Sequence, residues 1–169
     1  ENVPPTPEVV YALAKDLEEE MARQYCRWNP DQKMIGLRFS NVMDPSEYAN
    51  FPSFEDDPTA RKWNLWSYID ARDGAQAVVR ALGYHKPGFD DFIIANADTV
   101  MSRPSKELMA DFFPGTEFRT PVEGTQSLCA IDKARRLLGW EPQHSWRDHA
   151  SACSRSALIT RYSAYPFGS

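Results

Sequence analysis

The chain contains 169 residues, 42% of them hydrophobic and 12% aromatic, which is enough for one domain with a buried core. Its 19 Lys and Arg residues and 24 Asp and Glu residues give a net charge of −5, which argues against nucleic acid or an anionic membrane as a partner. No apolar run approaches the ~20 residues of a membrane-spanning helix, and the acidic, proline-rich first residues do not resemble a secretory signal peptide.

The first predicted element is a long helix. Thr6 would cap its N-terminus, Pro7 suits its first position, and the Asn29-Pro30 pair would end it. Apolar residues at helical spacing form one apolar stripe along it: Val10, Leu13, Ala14, Leu17 and Met21. We expect this stripe to pack either against a sheet or against a second copy of the chain.

Tyr11 and Lys15 lie four residues apart on this helix, so both project from one face at the edge of the apolar stripe. Such a pair is typical of a catalytic tyrosine held beside a lysine. It also arises by chance. With the 7 tyrosines of this chain, the expected number of random Tyr-x-x-x-Lys matches is roughly a quarter, or about one in every four such sequences. The pair alone therefore does not establish a function.

The middle of the chain predicts two strands and a helix. A short apolar run indicates a buried strand over Met34–Phe39, and an irregular stretch rich in Pro, Asp and aromatic residues follows over 41–64. The segment WSYID predicts a short strand that leads into a helix capped by Asp70 and Asp73. We expect the core face of this helix to consist of Ala75, Val78, Val79 and Leu82. The segment DDFIIAN predicts a second buried strand.

Two further helices are predicted in the last third of the chain. The first, in SRPSKELMADFF, is capped by Ser102. We expect its inward face to consist of Leu108, Met109 and Phe112. The second, in IDKARRLLGW, is capped by Asp132 and ends at Gly139, and the chain after Arg147 remains compatible with a helix as far as AYPFGS. Strands that alternate with helices in this way indicate an α/β fold with a mainly parallel sheet.

The cysteines and histidines are scattered along the chain. They are Cys26, Cys129 and Cys153, and His85, His144 and His149. Without a Cys-x-x-Cys pair, the cysteines indicate reduced thiols in a cytoplasmic protein, and neither a zinc site nor a disulfide framework. The histidines favour ordinary core or surface positions, so we expect no metal.

The 8 glycines include no pair at Gly-x-Gly or Gly-x-x-Gly spacing. The sequence therefore lacks the glycine-rich turn that holds a pyrophosphate at a helix N-terminus in dinucleotide-binding folds. It also begins without Met, just ahead of a proline pair. We interpret these residues as the later part of a longer domain.

Four motifs stand in one order along the chain: PPTPEVVYALAK, IGLRFSNVMDP, WSYIDARDGAQAVVRAL and IDKARRLLGWEP. Together they resemble the C-terminal portion of the extended short-chain dehydrogenase/reductases, the family of NAD-dependent sugar epimerases and dehydratases. The resemblance implies a Rossmann-like doubly wound parallel sheet with a small substrate-binding subdomain, of which residues 1–169 form the C-terminal part. It also implies NAD or NADP as cofactor, a sugar or nucleotide-sugar substrate and a homodimer.

The resemblance assigns roles to four residues near the cofactor. Tyr11 would accept the proton of the substrate hydroxyl while hydride passes to the nicotinamide. A phenol keeps its proton at neutral pH, so the Lys15 cation one turn away would favour the phenolate and also bind the nicotinamide ribose. Phe39 and Ser40, at the end of the predicted strand, would lie beside the cofactor ring at the carboxyl edge of the sheet.

Three residues are candidate substrate contacts. Asn41 resembles the family asparagine that contacts the substrate, although asparagine after a strand also forms turns. Arg61 lies in RKWNLW, which resembles uronate dehydrogenases in which an arginine before a tryptophan binds the sugar acid; a solvated loop charge is the alternative. Trp66, like Trp63, would line the sugar site or else pack between loop and sheet.

The sequence also departs from the family pattern. The glycine-rich loop, the acidic ribose-binding residue and the catalytic Ser or Thr all lie upstream of the tyrosine in the family, so we expect residues 1–169 alone to be inactive. Asp44 replaces the usual glycine in VMDP, and the short loop before Trp66 argues against a bulky nucleotide. Two alternatives to a sugar epimerase or dehydratase therefore remain: a uronate-type dehydrogenase, and a non-catalytic relative with a binding or regulatory role.

Overall fold

The computed structural model of the protein describes residues 6–149. Its helices are α1 (Val10–Trp28), α2 (Ala71–Leu82), α3 (Ser105–Phe112) and α4 (Asp132–Leu138), and its strands are β1 (Lys33–Phe39), β2 (Val42–Met43), β3 (Ile69–Asp70) and β4 (Gly88–Ile94). Two 3₁₀ helices, Pro45–Glu55 and Pro58–Asn64, fill most of the segment between β2 and β3. The predicted helix-compatible tail lies mostly outside the described residues.

The strands pair in parallel. β1 pairs with β4 along all 7 of its residues, and β2 pairs with β3. α1 covers the face of the β1–β4 sheet that carries Arg38 and Phe89, while α2 and α4 cover the opposite face, which carries Leu37 and Phe92. Parallel strands with helices on both faces confirm the predicted α/β class.

The buried side chains form two clusters. One lies between the β1–β4 sheet and helices α2 and α4 and includes Phe92 and Trp140. The other is aromatic and lies beneath the 3₁₀ helices and α3, where Phe51, Trp66 and Tyr68 are fully buried. This aromatic cluster gives the region beside the sheet a core of its own, as a small subdomain requires.

The bounds of α1 differ from the prediction at one end. The helix begins at Val10, after Val9, and no side chain caps it, so the predicted starts at Thr6 and Pro7 are wrong. It ends at Trp28 with Asn29 as its C-cap, as predicted. The periodic pattern thus located the helix better than the capping pattern did, because Thr and Pro are equally compatible with an extended segment ahead of a helix.

The apolar stripe of α1 does not face the sheet. Its larger side chains are 45–83% exposed, namely Val10, Leu13, Leu17 and Met21. The buried residues of the helix are Ala22 and Cys26, and Glu19 on the same face is half-buried. Helical spacing identifies an apolar face but not what covers it, so packing of the stripe against a second copy stays a prediction.

The predicted core face of α2 is wrong. Ala75, Val78, Val79 and Leu82 are exposed, whereas the buried face consists of Asp73, Gly74, Ala77 and Ala81. Three of these four residues are small, and a Cβ atom on Gly74 would make an ordinary contact with the ring of Phe39, at 3.5 Å. The larger aliphatic residues lie outside this buried face.

Two predicted helix caps are wrong. α3 follows Pro104 and has no side-chain cap, so Ser102 does not cap it. Asp132 is the first residue of α4 and follows Ile131, whose side chain makes no capping hydrogen bond. In both places a residue that can cap a helix lies close to the helix start, but the helix begins at a different position from the one predicted.

Other predicted features are confirmed. Asp70 caps α2 by accepting a hydrogen bond from the backbone N–H of Arg72. Gly139 ends α4 in the left-handed conformation, with φ of 59°. In α3, Leu108 and Met109 are buried and Phe112 is half-buried against the aromatic cluster.

The prediction of an irregular stretch over 41–64 is wrong. Asp44 accepts hydrogen bonds from Ser46, and the Glu47 side chain accepts one from the Asp44 N–H, so together they cap the first 3₁₀ helix. Asp57 caps the second one. The Asp and Pro residues that suggested a loop therefore act as starts of short helices.

No helix among the described residues is both long and apolar enough to cross a membrane. Cys26 is buried and Cys129 half-buried, and both are free thiols. Cys153 lies outside the described residues.

Candidate active site

A cavity of about 660 Å³ lies at the carboxyl end of β1. Its wall includes Tyr11 from α1 and the three consecutive residues Phe39, Ser40 and Asn41. Trp63, from the second 3₁₀ helix, lines it as well. The structure therefore brings four of the predicted site residues to one place, at the edge of a parallel sheet where ligand sites of α/β folds form.

Tyr11 and Lys15 are both exposed on the face of α1 beside this cavity. The Lys15 Nζ lies 5.7 Å from the centroid of the Tyr11 ring. Hydrogen bonds from Nζ to Glu18, at 2.9 and 3.1 Å, raise the pKa of the Lys15 ammonium. Lys15 is therefore a cation at neutral pH, one helical turn from the phenol.

Both residues also line a second cavity. This cavity, of about 920 Å³, lies between α1 and β1, and its wall includes Tyr11, Lys15, Arg38 and Phe39. Because Tyr11 and Phe39 belong to the walls of both cavities, they lie where the two meet. A ligand along β1 and a ligand at the strand end would therefore meet beside the tyrosine.

The chain beyond β1 is held in place by hydrogen bonds. The N–H of Ser40 donates to the carbonyl of Ile94 at 2.9 Å, and its hydroxyl donates to Ser67 Oγ at 2.9 Å. The carbonyl of Asn41 accepts from the N–H of Ile69 at 2.9 Å. These bonds continue the pairing of the two sheets and fix the backbone of the strand end beside Tyr11.

Arg61 lies behind Asn41 and does not belong to the cavity wall. With the Asn41 amide oxygen facing it, the guanidinium donates to that oxygen at 2.7 and 3.3 Å. It also donates to the carbonyl of Ser67 at 3.2 Å and lies 5.2 Å from the ring centroid of Phe54. Arg61 is 8% exposed, and burial lowers its pKa. The predicted substrate contact at Arg61 is therefore replaced by an inward role, in which it orients Asn41.

Trp66 packs into the core, which is the second of the two alternatives that its sequence position allowed. Its side chain is fully buried, its Nε1 donates to the carbonyl of Pro58 at 2.8 Å, and its ring packs on Phe112. It offers no surface to a ligand in the cavity, because a left-handed turn at Leu65 and Trp66 directs it into the aromatic cluster. The exposed indole at the cavity is that of Trp63, the other tryptophan of RKWNLW.

Asp73 has a structural role that the sequence did not reveal. Its buried carboxylate accepts hydrogen bonds from the N–H groups of Gln143 and His144 at 3.0 and 2.9 Å, and its Oδ1 lies 2.9 Å from His144 Nδ1. Asp73 therefore anchors the segment after α4 to α2 and does not cap α2. Its partners lie some 70 positions away, so no local pattern could identify them.

Asp70 lies close to Asp73 and His144, within 4.8 Å between their ligand atoms. Arg72 donates to its two oxygens at 2.9 and 2.7 Å, and the hydroxyl of Tyr48 donates to it as well. Burial opposes ionisation of Asp70, but the hydrogen bonds from Arg72 and Tyr48 outweigh it and hold the pKa of the carboxyl well below its usual range. The charge of the Asp70 carboxylate is thus balanced by the guanidinium of Arg72.

A third cavity, of about 580 Å³, adjoins the first. The two share Leu65 and Cys129 in their walls, and the third one also contains Arg119 and Arg135. Sequence reasoning did not single out either arginine, since neither belongs to a pattern that indicates a ligand site. The shared wall means that a ligand larger than a single sugar ring could extend from the strand end towards these cations.

The chain was compared with known proteins. No family model matches it, and no curated protein matches it either. Among solved structures, it is similar to a UDP-N-acetylglucosamine 4-epimerase from Bacillus cereus, with 20% identity and a TM-score of 0.53, over 95% of this chain and 56% of that one. It is similar to a short-chain dehydrogenase/reductase superfamily protein from Agrobacterium tumefaciens with bound NAD, with 18% identity and a TM-score of 0.58, over 96% and 62%. RMD from Pseudomonas aeruginosa, complexed with NADPH, matches with 15% identity and a TM-score of 0.53, over 88% and 55%.

At these identities the matches establish the fold. The chain has the α/β fold of short-chain dehydrogenase/reductase structures, which confirms the predicted resemblance at the level of the fold. It spans between 55% and 62% of the length of these three structures.

Proposed function

We propose that the protein to which this chain belongs is an NAD(P)-dependent oxidoreductase of the epimerase/dehydratase type, which acts on a hydroxyl of a sugar or nucleotide sugar. The observation that supports this most directly is the cavity at the end of β1, where Tyr11, one turn from Lys15, meets Phe39, Ser40 and Asn41. The fold is that of proteins crystallised with NAD and NADPH, which supports a nicotinamide cofactor.

The chain's residues fit part of such a cofactor. Lys15 offers a charged donor for ribose hydroxyls, and Phe39, 40% exposed, offers an apolar surface for a ring. When bound, the nicotinamide supplies the hydride acceptor. The Lys15 ammonium would stabilise Tyr11 as a phenolate, which then accepts the proton of the reacting hydroxyl and becomes a neutral phenol. For this, Lys15 exchanges its present bond to Glu18 for bonds to the ligand.

On the substrate side, the Asn41 amide hydrogen-bonds the sugar, with its orientation set by Arg61. The exposed indole of Trp63 provides an apolar face for the ring. Arg119 and Arg135 in the adjoining cavity suit phosphate groups and so a nucleotide sugar, whereas a free sugar would occupy the first cavity alone. Because Arg61 faces Asn41, the geometry does not favour a sugar-acid site at that position.

We also propose that the protein is a cytoplasmic homodimer. The thiols of Cys26 and Cys129 are free, as expected in a reducing compartment. The exposed apolar stripe of α1 is the face on which a second copy would pack. Sedimentation of the complete protein tests the dimer.

Replacement of Tyr11 by Phe in the complete enzyme tests the proposed function. The change removes the proton acceptor from an exposed side chain, so turnover should fall by a factor on the order of 10²–10⁴ while the fold persists. Tyr25→Phe is the matched control, since Tyr25 is exposed on the same helix and lines neither cavity beside Tyr11. NAD(P)H absorbance over a panel of free sugars, sugar acids and UDP-sugars measures both. Near-normal turnover of Tyr11→Phe would contradict the role of the tyrosine.

A further inference from the structure

The helix that carries Tyr11 and Lys15 has little apolar contact with the sheet. The residues of α1 that are buried are Ala22 and Cys26, and both are small. The next residue of this face towards Tyr11 is Glu19, whose side chain is 17% exposed. Glu19 is therefore a large polar contact residue on a helix face whose buried residues are small.

Glu19 is held by a bidentate ion pair with Arg38 of β1. Arg38 Nε donates to Glu19 Oε1 at 2.7 Å, and Arg38 Nη2 donates to Glu19 Oε2 at 2.7 Å. The same guanidinium lies 2.9 Å from Asp91 Oδ2 on β4. One side chain thus joins α1 to both strands of the sheet, with the planar geometry that only arginine provides.

The ion pair belongs to a larger network of balanced charge. Arg23 pairs with Glu19 at 3.1 Å, and Lys133 of α4 pairs with Asp91 at 3.0 Å and with Asp90 at 2.8 Å. The hydrogen bond from Arg38 lowers the pKa of Glu19, which keeps the carboxylate charged. Since the carboxylates are mostly shielded from water, their pairing with Arg38 is stronger than an exposed ion pair.

We propose that Arg38 is a positioning residue, which seats α1 on the sheet through Glu19 and thereby sets the place of Tyr11 and Lys15 beside the end of β1. Arg38 immediately precedes Phe39, and both lie in the wall of the cavity that contains Tyr11. The seating of α1 is independent of the proposed function, whereas its effect on catalysis rests on it.

The thiol of Cys26 reports this seating. It lies 7% exposed on the sheet side of α1, so a reagent reaches it only when the helix separates from the sheet. Cys129, half-buried outside α1, serves as an internal reference in the same sample. A change at Cys26 alone would show a local opening of α1, whereas a parallel change at both would show global unfolding.

The experiment measures the rate of alkylation of each cysteine by N-ethylmaleimide in the complete protein, by peptide mass spectrometry. We expect Glu19→Gln and Arg38→Gln each to raise the rate at Cys26 on the order of tenfold, and the double variant to add little to the effect of Arg38→Gln, because both single changes remove the pair between Glu19 and Arg38. Glu20→Gln is the matched control: Glu20 is exposed on the same helix and pairs only with neighbouring residues of α1 among its described contacts. Its rate should stay within about twofold of the wild type.

Two results would overturn the proposal. One is an unchanged rate at Cys26 in Glu19→Gln, the milder variant, which keeps the pair between Arg38 and Asp91. The other is a faster rate at Cys26 with unchanged kcat in the active enzyme, since the expected loss is in kcat with KM less affected. If the wild-type protein turns over no sugar at all, the proposed function fails, but the alkylation rates still decide whether Arg38 seats α1.

Discussion

Trp63 and Trp66 stand three residues apart in the sequence and have opposite environments. The Trp63 side chain is 72% exposed at the cavity, whereas Trp66 is fully buried with its N–H bonded to Pro58. Composition could not distinguish them, since tryptophan suits both a core and a ligand site. The backbone turn between them, with positive φ at Leu65 and Trp66, determines that the Trp66 ring is buried and the Trp63 ring is exposed.

Alanine substitutions should separate the two roles. Trp66→Ala leaves a large cavity in the aromatic cluster, so we expect it to lower the free energy of unfolding by about 3–5 kcal/mol. Trp63→Ala removes an exposed ring and should change this free energy by less than about 0.5 kcal/mol. Urea unfolding followed by circular dichroism measures both. Similar losses in the two variants would show that Trp63 is also a core residue.

Asp90 is a carboxylate that the fold stabilises in its charged form. Burial opposes its ionisation, but hydrogen bonds from Lys133, Tyr84 and Lys86 outweigh the burial and lower the pKa of Asp90 to about 2. Its folded pKa therefore lies below that of an unfolded chain, about 3.9. The resulting stabilisation is fully present above pH ~4 and is lost as the pH falls towards 2.

Asp90→Asn tests this linkage. At pH 7 we expect the variant to lose on the order of 1–2 kcal/mol of unfolding free energy relative to the wild type, and we expect the difference to shrink between pH 4 and pH 3. Urea unfolding at a series of pH values measures it. Asp111→Asn is the control, because the pair of Asp111 with Arg103 is exposed and should matter little. A difference that stays constant down to pH 3 would contradict the lowered pKa of Asp90.

At the scale of elements, the two helices that end in glycine differ in the backbone conformation of that glycine. Gly139 ends α4 with φ of 59°, in the left-handed region, whereas Gly83 ends α2 with φ of −79°. A side chain is strained at the first position and is compatible with the second, where a Cβ atom would make only an ordinary contact at 3.5 Å.

Gly139→Ala should therefore lower the free energy of unfolding by about 1 kcal/mol. Gly83→Ala should leave it unchanged or raise it by up to about 1 kcal/mol, because alanine restricts the unfolded chain. Thermal unfolding of the two variants side by side provides the measurement. Equal destabilisation by both would mean that the helix ends do not differ in the way described.

Hydrophobic periodicity predicted the positions of helices and strands but not which of their faces are buried. The 3.6-residue pattern located α1 and α2, and the apolar runs located β1 and β4. It did not identify the faces that the sheet covers, because these faces carry small residues such as Ala22 and Gly74, which contribute little apolar signal. In α1 the charged Glu19 lies on the covered face, which no hydrophobic pattern can predict.

For the whole molecule, the β1–β4 sheet has an edge at β1 that pairs with no other strand among residues 6–149. Beside it, Ile35, Leu37, Val78 and Leu82 form an apolar groove of about 280 Å³. Parallel sheets are usually larger and covered on both faces. An open edge with apolar neighbours favours association with a further strand.

Residues 1–169 expressed on their own should consequently self-associate and bind no NAD(P). We expect calorimetric titration to show no binding tighter than about a millimolar, because the sequence contains no glycine-rich turn for the pyrophosphate. Val78→Lys, which places a charge in the groove, should reduce association in sedimentation runs. Val79→Lys, exposed but outside the groove, is its control. Tight NAD(P) binding would show that the cofactor site is misplaced.

The sequence by itself determined the α/β alternation, the positions of β1 and β4, and the shared face of Tyr11 and Lys15, since these depend on residues within a few positions of one another. The order of four motifs also predicted the fold that the solved structures share. Only the tertiary structure decided that Arg61 turns inward to Asn41, that Asp73 anchors residues 143–144 and that Arg38 holds α1. Their partners lie some 20 to 70 positions away, and a hydrogen bond between distant residues leaves no periodic trace in the sequence, because a polar side chain there looks like any solvated one.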